Sequence, residues 1–276
     1  MAFWFSSIFL ILAIFLLEVT GITVNSKLGT IVGRIETVKV GPENVTIAEY
    51  LGIPYAKPPI GDLRFKKPVP FGNFETEFNA SDYGPSCMQY LPGITESIQP
   101  QSEDCLYVNI FSPDINQDGT KYHVMVWIHG GSFLFGDGKW RTANILAAFG
   151  NVIVVTLNYR LGPFGFLDSD DNTISGNYGL WDQHMAIQWV HDNIASFNGN
   201  PDSVTVSGES AGSASVMYQA IYPGNEGLFQ RIIAQSGSSN AEWALITDPG
   251  TRIKKYSEKF GCNQESSSDI VDCLRS

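Results

Sequence analysis

A short stretch at 203–215, "SVTVSGESAGSAS", places a serine where nucleophilic chemistry can occur. A serine hydroxyl is a weak nucleophile at neutral pH, so it must be exposed and set against a general base. Glycines 208 and 212 flank Ser210, and such spacing favours a sharp strand-to-helix turn that lifts the hydroxyl out of the fold. The N-terminus of the following helix would then favour an oxyanion near Ser210. A chance Gly/Ser-rich turn is the alternative.

A second stretch, "MVWIHGGSFLFG" at 125–136, has residue types suited to anion stabilisation. An apolar strand opens into His129-Gly130-Gly131-Ser132. Consecutive glycines expose backbone N–H groups in a concavity without side chains, and an oxyanion hole requires such groups. Each stretch alone is a weak signal. Together, each at the end of a predicted strand, they favour an acyl-transfer site over coincidence.

The elements that must position these residues have an α/β pattern. Three runs are almost wholly apolar or β-branched, as strands covered on both faces tend to be, and a fourth resembles them. These runs are "HVMVWIH", "NVIVVTLNY", "SVTVS" and "RIIAQSG". Between the second and third lies a predicted amphipathic helix, "WDQHMAIQWVHDNIASF". Its predicted apolar side carries Met185, Ala186, Trp189, Val190 and Ile194, and its polar side carries Asp182, His191 and Asp192.

The N-terminal part has a different pattern. "KLGTIVGRIETV" and "VTIAEYLGIPYA" alternate and contain glycine turns, which predicts antiparallel strands. The segment that follows, "YAKPPIGDLRFKKPVP", is too rich in proline for a helix and favours an extended path. We therefore predict an α/β fold with a mostly parallel central sheet and antiparallel N-terminal strands.

Composition narrows the function classes. The chain has 28 acidic and 17 basic residues and a net charge of −11, which argues against nucleic-acid binding. Its hydrophobic content of 43% indicates a packed globular protein rather than a disordered one. No Cys-x-x-Cys pair or neighbouring histidine supplies a metal-ligand set, so no metal site is predicted.

The first seventeen residues, "MAFWFSSIFLILAIFLL", form an apolar run that predicts a signal peptide. Small residues favour cleavage after Gly21, although no Lys or Arg precedes the run. An uncleaved anchor is the alternative, but the run is at the short limit for a membrane span. We therefore expect a signal peptide at 1–21, a secreted domain at 22–276, and no transmembrane segment after cleavage.

Two further features agree with secretion. Asn44 and Asn79 lie in Asn-x-Ser/Thr sequons, which are glycosylation sites in secreted proteins. The four cysteines allow three pairings in an oxidising compartment, with free buried thiols as the alternative. The chain is therefore expected in the secretory-pathway lumen or outside the cell.

Taken together, the motifs resemble the carboxylesterase and cholinesterase family, the type B esterases of the α/β-hydrolase fold. The resemblance runs nearly end to end, and the matching segments occur in the family's order. They are "EYLGIPYAKPPIGDLRFKKP", "SEDCLYVNIF", "MVWIHGGSF", "NYRLGPFGFL", "NYGLWDQHMAIQWVHDNI", "VTVSGESAG" and "AQSGSSNAEWA". The resemblance implies that Ser210 is the nucleophile and that the N–H groups of Gly131, Ser132 and Ala211 are the oxyanion donors.

Other roles also follow only from the resemblance. It implies two disulfides, Cys87 to Cys105 and Cys262 to Cys273. It implies buried structural ion pairs, Arg64 with Glu103 and Arg160 with Asp182. Glu209 resembles a buried supporting glutamate, and His129 a structural loop residue. No cofactor is implied.

Two departures from the family bear on the substrate. Ser132 stands where a third glycine is usual, so the loop gains a side chain and loses freedom at positive φ. The segment "QYLPGITESIQPQSED" contains no Trp to bind a quaternary ammonium by cation–π contact. This counts against choline esters and leaves general carboxylic esters, amides and thioesters as alternatives. The expected partner is a small-molecule carboxylic ester.

The general base is missing from the pattern. The fold's triad follows the order Ser, then Asp or Glu, then His, yet His123, His129, His184 and His191 all precede Ser210. We therefore expect the acid and base to lie outside this chain. The chain would then be an N-terminal portion, incomplete at the C-terminal side and inactive alone. The alternatives are a catalytically incomplete, esterase-like secreted binding or adhesion protein, and a 276-residue mature product without turnover.

Overall fold

The computed structural model describes residues 21–98, 100–113, 115, 118–139 and 143–276. The predicted signal peptide spans residues 1–21, and residues 1–20 lie outside the described residues. Its last residue, Gly21, begins the first strand.

The described residues form a nine-stranded sheet and a separate two-stranded ladder. The large sheet contains β1 (Gly21–Ser26), β2 (Gly29–Val40), β3 (Glu43–Pro54), β4 (Phe78–Asn79), β7 (Tyr107–Ser112), β8 (Tyr122–Ile128), β9 (Ile153–Leu157), β10 (Gly199–Glu209) and β11 (Arg231–Gln235). The small ladder pairs β5 (Ser86–Cys87) with β6 (Gln101–Ser102).

Strand order explains how the candidate site residues meet. The order is β1-β2-β3-β7-β9-β8-β10-β11, with β4 beside β2. Along this order the pairings from β1 to β9 are antiparallel, which confirms the predicted N-terminal strands, whereas β4 is parallel to β2. Strands β9, β8, β10 and β11 are parallel neighbours. Because parallel strands end at the same edge of a sheet, the residues after β8 and β10 lie side by side.

Six α-helices lie among the described residues. They are α1 (Asn144–Gly150), α2 (Gly162–Phe166), α3 (Tyr178–Asn193), α4 (Ala211–Ile221), α5 (Pro249–Glu258) and α6 (Ser267–Arg275). Helix α3 confirms the predicted helix and buries Ala186, Trp189 and Val190, as expected. The assignment of Asp182 to the polar side was wrong, because its carboxylate is fully buried against Arg160.

Strand β11 corrects a second expectation. "RIIAQSG" was predicted to be covered on both faces, yet every residue of β11 is exposed, and Ile232 and Ile233 are each 41% accessible. The physical reason is position: β11 lies at the end of the sheet, and among the described residues only β10 pairs with it.

Both expected disulfides are present. Cys87 bonds to Cys105, which closes the loop that contains β5 and β6, and Cys262 bonds to Cys273 of α6. The described part of the chain contains no free cysteine. Of the helices described, none has the length and apolarity needed to cross a bilayer.

Candidate active site

The predicted nucleophile lies at a strained strand-to-helix turn. Ser210 is the single residue between β10 and α4, and its backbone angles are φ 56° and ψ −120°. This conformation is rare for a residue with a side chain and is typical of functional turns. Two backbone hydrogen bonds hold the turn: the Ser210 N–H donates to the Gln235 carbonyl at 2.9 Å, and the Ala214 N–H donates to the Ser210 carbonyl at 3.1 Å. Ser210 itself is half-buried.

The glycine-rich loop after β8 forms a tight turn, which we call the oxyanion turn (residues 130–136). Gly131, Ser132 and Phe133 have consecutive positive φ angles of 101°, 57° and 60°. The N–H groups of Leu134 and Phe135 both donate to the Gly131 carbonyl, at 2.9 and 3.1 Å. Ser132 therefore adopts the left-handed conformation that a third glycine would adopt freely, at a cost of roughly 1–2 kcal/mol.

The oxyanion turn passes directly against the serine. A Cβ placed on Gly130 would lie 2.5 Å from the Glu209 carbonyl oxygen and 3.1 Å from the Ser210 Cβ. A side chain at position 130 would force the two loops apart, so glycine is required there. Gly130, the first residue of the oxyanion turn, thus lies against Ser210. The catalytic roles of Ser210, Ala211, Gly131 and Ser132 stay predictions.

Glu209 differs from the sequence expectation. The resemblance implied a buried glutamate, whereas Glu209 is half-buried. Its side chain turns towards the oxyanion turn, because its Oε2 lies 3.1 Å from where a Gly130 Cβ would be. The reason for its partial exposure is its place at the end of β10, where the strand leaves the sheet.

Three of the four histidines are held away from Ser210 by other partners. The Nδ1 atoms of His123, His184 and His191 contact Ser203 Oγ at 2.7 Å, Asn225 Oδ1 at 2.7 Å and Asp192 Oδ1 at 3.2 Å, respectively. Within the described residues, no side chain forms a hydrogen bond with the Ser210 hydroxyl.

His129, next to the oxyanion turn, is buried and neutral. Its ring stacks on Tyr159 with centroids 4.4 Å apart, and its Nδ1 lies 2.8 Å from the Gly130 carbonyl oxygen. Burial lowers the pKa of His129 to about 4. The neutral ring must therefore carry its hydrogen on Nδ1 to donate to Gly130. This geometry agrees with a structural loop residue and not with a base for Ser210.

The two expected ion pairs differ in burial. Arg160 binds Asp182 through Nε and Nη2 at 2.8 and 2.7 Å, and these side chains are 4% and 0% exposed. Arg64 binds Glu103 equally closely, at 2.7 and 2.6 Å, but both side chains remain about one-fifth exposed, at 20% and 21%. The second pair was expected to be buried and is only partly so, because it lies nearer the surface beside the end of α6.

Sequence reasoning missed two residues that contact the site. The Tyr159 hydroxyl donates to the His129 carbonyl at 2.9 Å. Gln89, in the Cys87–Cys105 loop, forms two hydrogen bonds with the backbone of Gly136. Tyr159 lies in the quoted segment "NYRLGPFGFL", but neither contact could be read from the sequence, because each joins segments 30 or more positions apart in the chain. The predicted sequon residues Asn44 and Asn79 are exposed, and their glycosylation stays a prediction.

Comparison with known proteins agrees with this architecture. The model of the carboxylesterase family matches residues 20–276. A carboxylic ester hydrolase of Bombus ignitus is 40% identical over 91% of this chain and 45% of its own length. Neuroligin-3 of Mus musculus is 38% identical over 92% of this chain and 35% of its own length. Neuroligin-2 of Homo sapiens is 37% identical over 89% of this chain and 34% of its own length.

The chain therefore spans less than half the length of each of these curated relatives. The family match nevertheless covers nearly all of the chain, including both disulfides, the oxyanion turn and the Ser210 turn. From this match and the sheet topology we conclude that the chain belongs to the carboxylesterase family and has the α/β-hydrolase fold.

Proposed function

We propose that the full-length protein hydrolyses carboxylic esters through a covalent acyl-enzyme formed on Ser210. The observation that carries this proposal is the conformation of Ser210, a strained residue between β10 and α4 with the oxyanion turn packed against it. Backbone strain of this kind persists only where the surrounding structure enforces it, and it is frequent in active sites. A packing role alone would not need a serine at positive φ.

The proposed reaction has two halves. A general base takes the Ser210 proton while Oγ attacks the ester carbonyl carbon, and the N–H groups of Gly131, Ser132 and Ala211 stabilise the tetrahedral oxyanion. The alcohol then leaves with a proton, and water hydrolyses the acyl-serine by the same route. His129 is unsuitable as the base, because burial lowers its pKa to about 4. The proposal therefore requires an acid and a base from outside these 276 residues.

Aromatic side chains beside the oxyanion turn support an uncharged ester as the substrate. Phe133 packs against Phe166 with centroids 4.9 Å apart, and Trp243 lies 6.4 Å from Phe133. Trp243 is 52% exposed, so apolar surface is accessible beside Phe133 of the oxyanion turn. Such surface favours an apolar acyl or alcohol group.

We also propose that the protein acts in the secretory pathway or outside the cell. The two disulfides support this, since such bonds persist in oxidising compartments. The predicted signal peptide at 1–21 and the exposed sequon residues Asn44 and Asn79 agree with it.

Hydrolysis of p-nitrophenyl butyrate by the full-length protein tests the proposed reaction. We expect Ser210→Ala to lower kcat by about 10³-fold or more, as loss of a nucleophile does in serine hydrolases. Ser203→Ala is the matched control, because Ser203 lies within β10, upstream of the turn, and its hydroxyl bonds to His123. Equal activity in wild type and Ser210→Ala would contradict the proposal.

A second candidate is an esterase-like secreted binding or adhesion protein without turnover. The observation in its favour is the 37–38% identity to neuroligins, whose names state no hydrolytic activity. Folded, secreted full-length protein that retains a protein partner in pull-down experiments but hydrolyses no ester would support this candidate over the first.

A further inference from the structure

Gln89 connects the disulfide-closed loop to the oxyanion turn. Its Nε2 donates to the Gly136 carbonyl at 3.0 Å, and its Oε1 accepts from the Gly136 N–H at 2.8 Å. The second Nε2 hydrogen is donated to the Cys87 carbonyl at 3.0 Å. The side chain is 9% exposed. One amide therefore satisfies both backbone groups of Gly136 and ties them to the disulfide.

Gly136 in turn lies against the first peptide of the oxyanion turn. A Cβ placed on Gly136 would lie 2.9 Å from the Gly130 carbonyl oxygen and closer still to His129 Nδ1. The Gly130 carbonyl belongs to the same planar peptide group as the Gly131 N–H. Because the two point in opposite directions in a trans peptide, the position of the Gly130 oxygen sets the direction of the Gly131 N–H. His129 Nδ1 holds this oxygen by a hydrogen bond at 2.8 Å, and the close approach of Gly136 limits its movement.

The loop that carries Gln89 is itself rigidly anchored. The Cys87–Cys105 disulfide closes it, and Gln101 accepts a hydrogen bond from the Gln89 N–H at 3.0 Å. Ser86 Oγ donates to Asp137 Oδ2 at 2.5 Å, directly after Gly136. Gln89 therefore holds Gly136 from a segment that is itself fixed. Ser86 provides a second attachment, at Asp137, the residue that follows Gly136.

We propose that Gln89 is a positioning residue that acts through Gly136 to hold the Gly131 N–H in its direction towards the oxyanion. This inference rests on the proposed function. Oxyanion donors act strongly only when they are fixed in place before the reaction. Loss of the Gln89 amide would leave the Gly136 N–H and carbonyl buried without partners, and the turn would shift to satisfy them. The loss would appear in kcat, because the oxyanion forms after the substrate has bound.

Two substitutions and one control test this role in the full-length protein. Gln89→Met keeps the length of the side chain and removes all three hydrogen bonds. Gln89→Glu keeps an acceptor for the Gly136 N–H and provides a second variant where Gln89→Met does not fold. Glu96→Ala is the control, because Glu96 lies in the same loop, where it accepts a hydrogen bond from the Gly93 N–H at 2.8 Å, and within the described residues it bonds neither to Gln89 nor to the oxyanion turn.

The measurements are steady-state hydrolysis of p-nitrophenyl butyrate and hydrogen exchange of peptides that cover 129–137. For Gln89→Met we expect kcat to fall about tenfold to a hundredfold, the scale of a misplaced catalytic group, with little change in KM. Amide exchange in the oxyanion turn should accelerate in the same variant. Glu96→Ala should leave kcat and the exchange of this turn close to wild type.

The outcomes separate this inference from the proposed function. Unchanged exchange in the oxyanion turn of both Gln89 variants would overturn the inference, whatever their activity. Faster exchange with an unchanged kcat in an active enzyme would also overturn it. A third outcome is a wild-type protein that hydrolyses no ester while Gln89→Met still accelerates exchange specifically at 129–137. That result would reject the proposed function and leave the positioning role of Gln89 in place.

Discussion

Single residues at positive φ mark the place where the two loops of the candidate site meet. Ser210 and Ser132 both have this conformation, at φ 56° and 57°, and they lie on opposite loops. The glycines around Ser210 allowed its turn to be predicted, since the Gly-x-Ser-x-Gly spacing is a local signal. The strain at Ser132 was also expected, because serine replaces glycine there.

Other residues of the site had no local signal. Gln89 and Tyr159 contact the oxyanion turn and His129, respectively, across long chain separations that no periodicity encodes. The neutral state of His129 likewise depends on its burial, which the sequence does not show. Sequence predicts which residues have the right chemistry here, while the contacts that orient them depend on tertiary packing.

The lowered pKa of His129 predicts a pH-dependent loss of stability. Its folded-state pKa of about 4 lies below the ordinary value of 6.5. Between these values the unfolded chain binds a proton that the folded protein excludes, so the free energy of unfolding falls as pH drops from 6.5 to 4. The pKa shift sets an upper limit on this fall in the free energy of unfolding, on the order of 3 kcal/mol.

Chemical denaturation of the full-length protein at pH 7 and pH 4.5 checks this. His129→Asn keeps a donor for the Gly130 carbonyl and cannot titrate, so it should lose less stability than wild type over this interval. His191→Asn is the control, because His191 is half-exposed beside Asp192. An equal pH dependence of the free energy of unfolding in wild type and His129→Asn would contradict the assignment of this effect to His129.

At the scale of elements, hydrophobic periodicity predicted helix α3 but misplaced one of its residues. Asp182 was placed on the polar side because it is charged, although it precedes Ala186 by one helical turn and so lies on the same side of the helix. In the structure Asp182 is buried and accepts hydrogen bonds from Nε, Nη2 and the backbone N–H of Arg160. These bonds join the segment after β9 to α3. Only the family resemblance, and not periodicity, indicated that pair.

Breaking this pair should destabilise the fold strongly. Asp182→Asn would leave the Arg160 guanidinium buried without its counter-charge, at a cost of about 3–5 kcal/mol in the free energy of unfolding. Glu103→Gln breaks a pair of similar geometry that is one-fifth exposed, so its cost should be about 1 kcal/mol or less. Urea unfolding of the full-length protein measures both. A larger loss for Glu103→Gln would show that burial does not decide the difference.

At the scale of the whole molecule, the sheet was predicted in outline and its coverage was not. The order of motifs and the apolar runs indicated an α/β-hydrolase with antiparallel N-terminal strands, and the topology agrees. The burial of β11 was predicted wrongly, because an apolar run reports what a strand can bury and not which neighbours it has. Among the described residues β11 presents an apolar, unpaired edge.

An edge of this kind predicts self-association of residues 21–276 expressed alone. Unpaired strand edges with apolar side chains pair readily with other chains. Ile233→Lys should reduce the aggregated fraction by placing a charge on β11. Ile145→Lys is the control, since Ile145 is 54% exposed but lies on helix α1. Sedimentation velocity measures the aggregated fraction, and equal effects of both substitutions would contradict a role for the edge.

The most direct test of the account is to map the site of a fluorophosphonate adduct in the folded, full-length protein by peptide mass spectrometry. Such probes react with a serine that a base and an oxyanion hole have activated. We expect one stoichiometric adduct on Ser210, absent from Ser210→Ala and retained in Ser203→Ala. Folded wild-type protein that carries no adduct on Ser210 would contradict its role as a nucleophile.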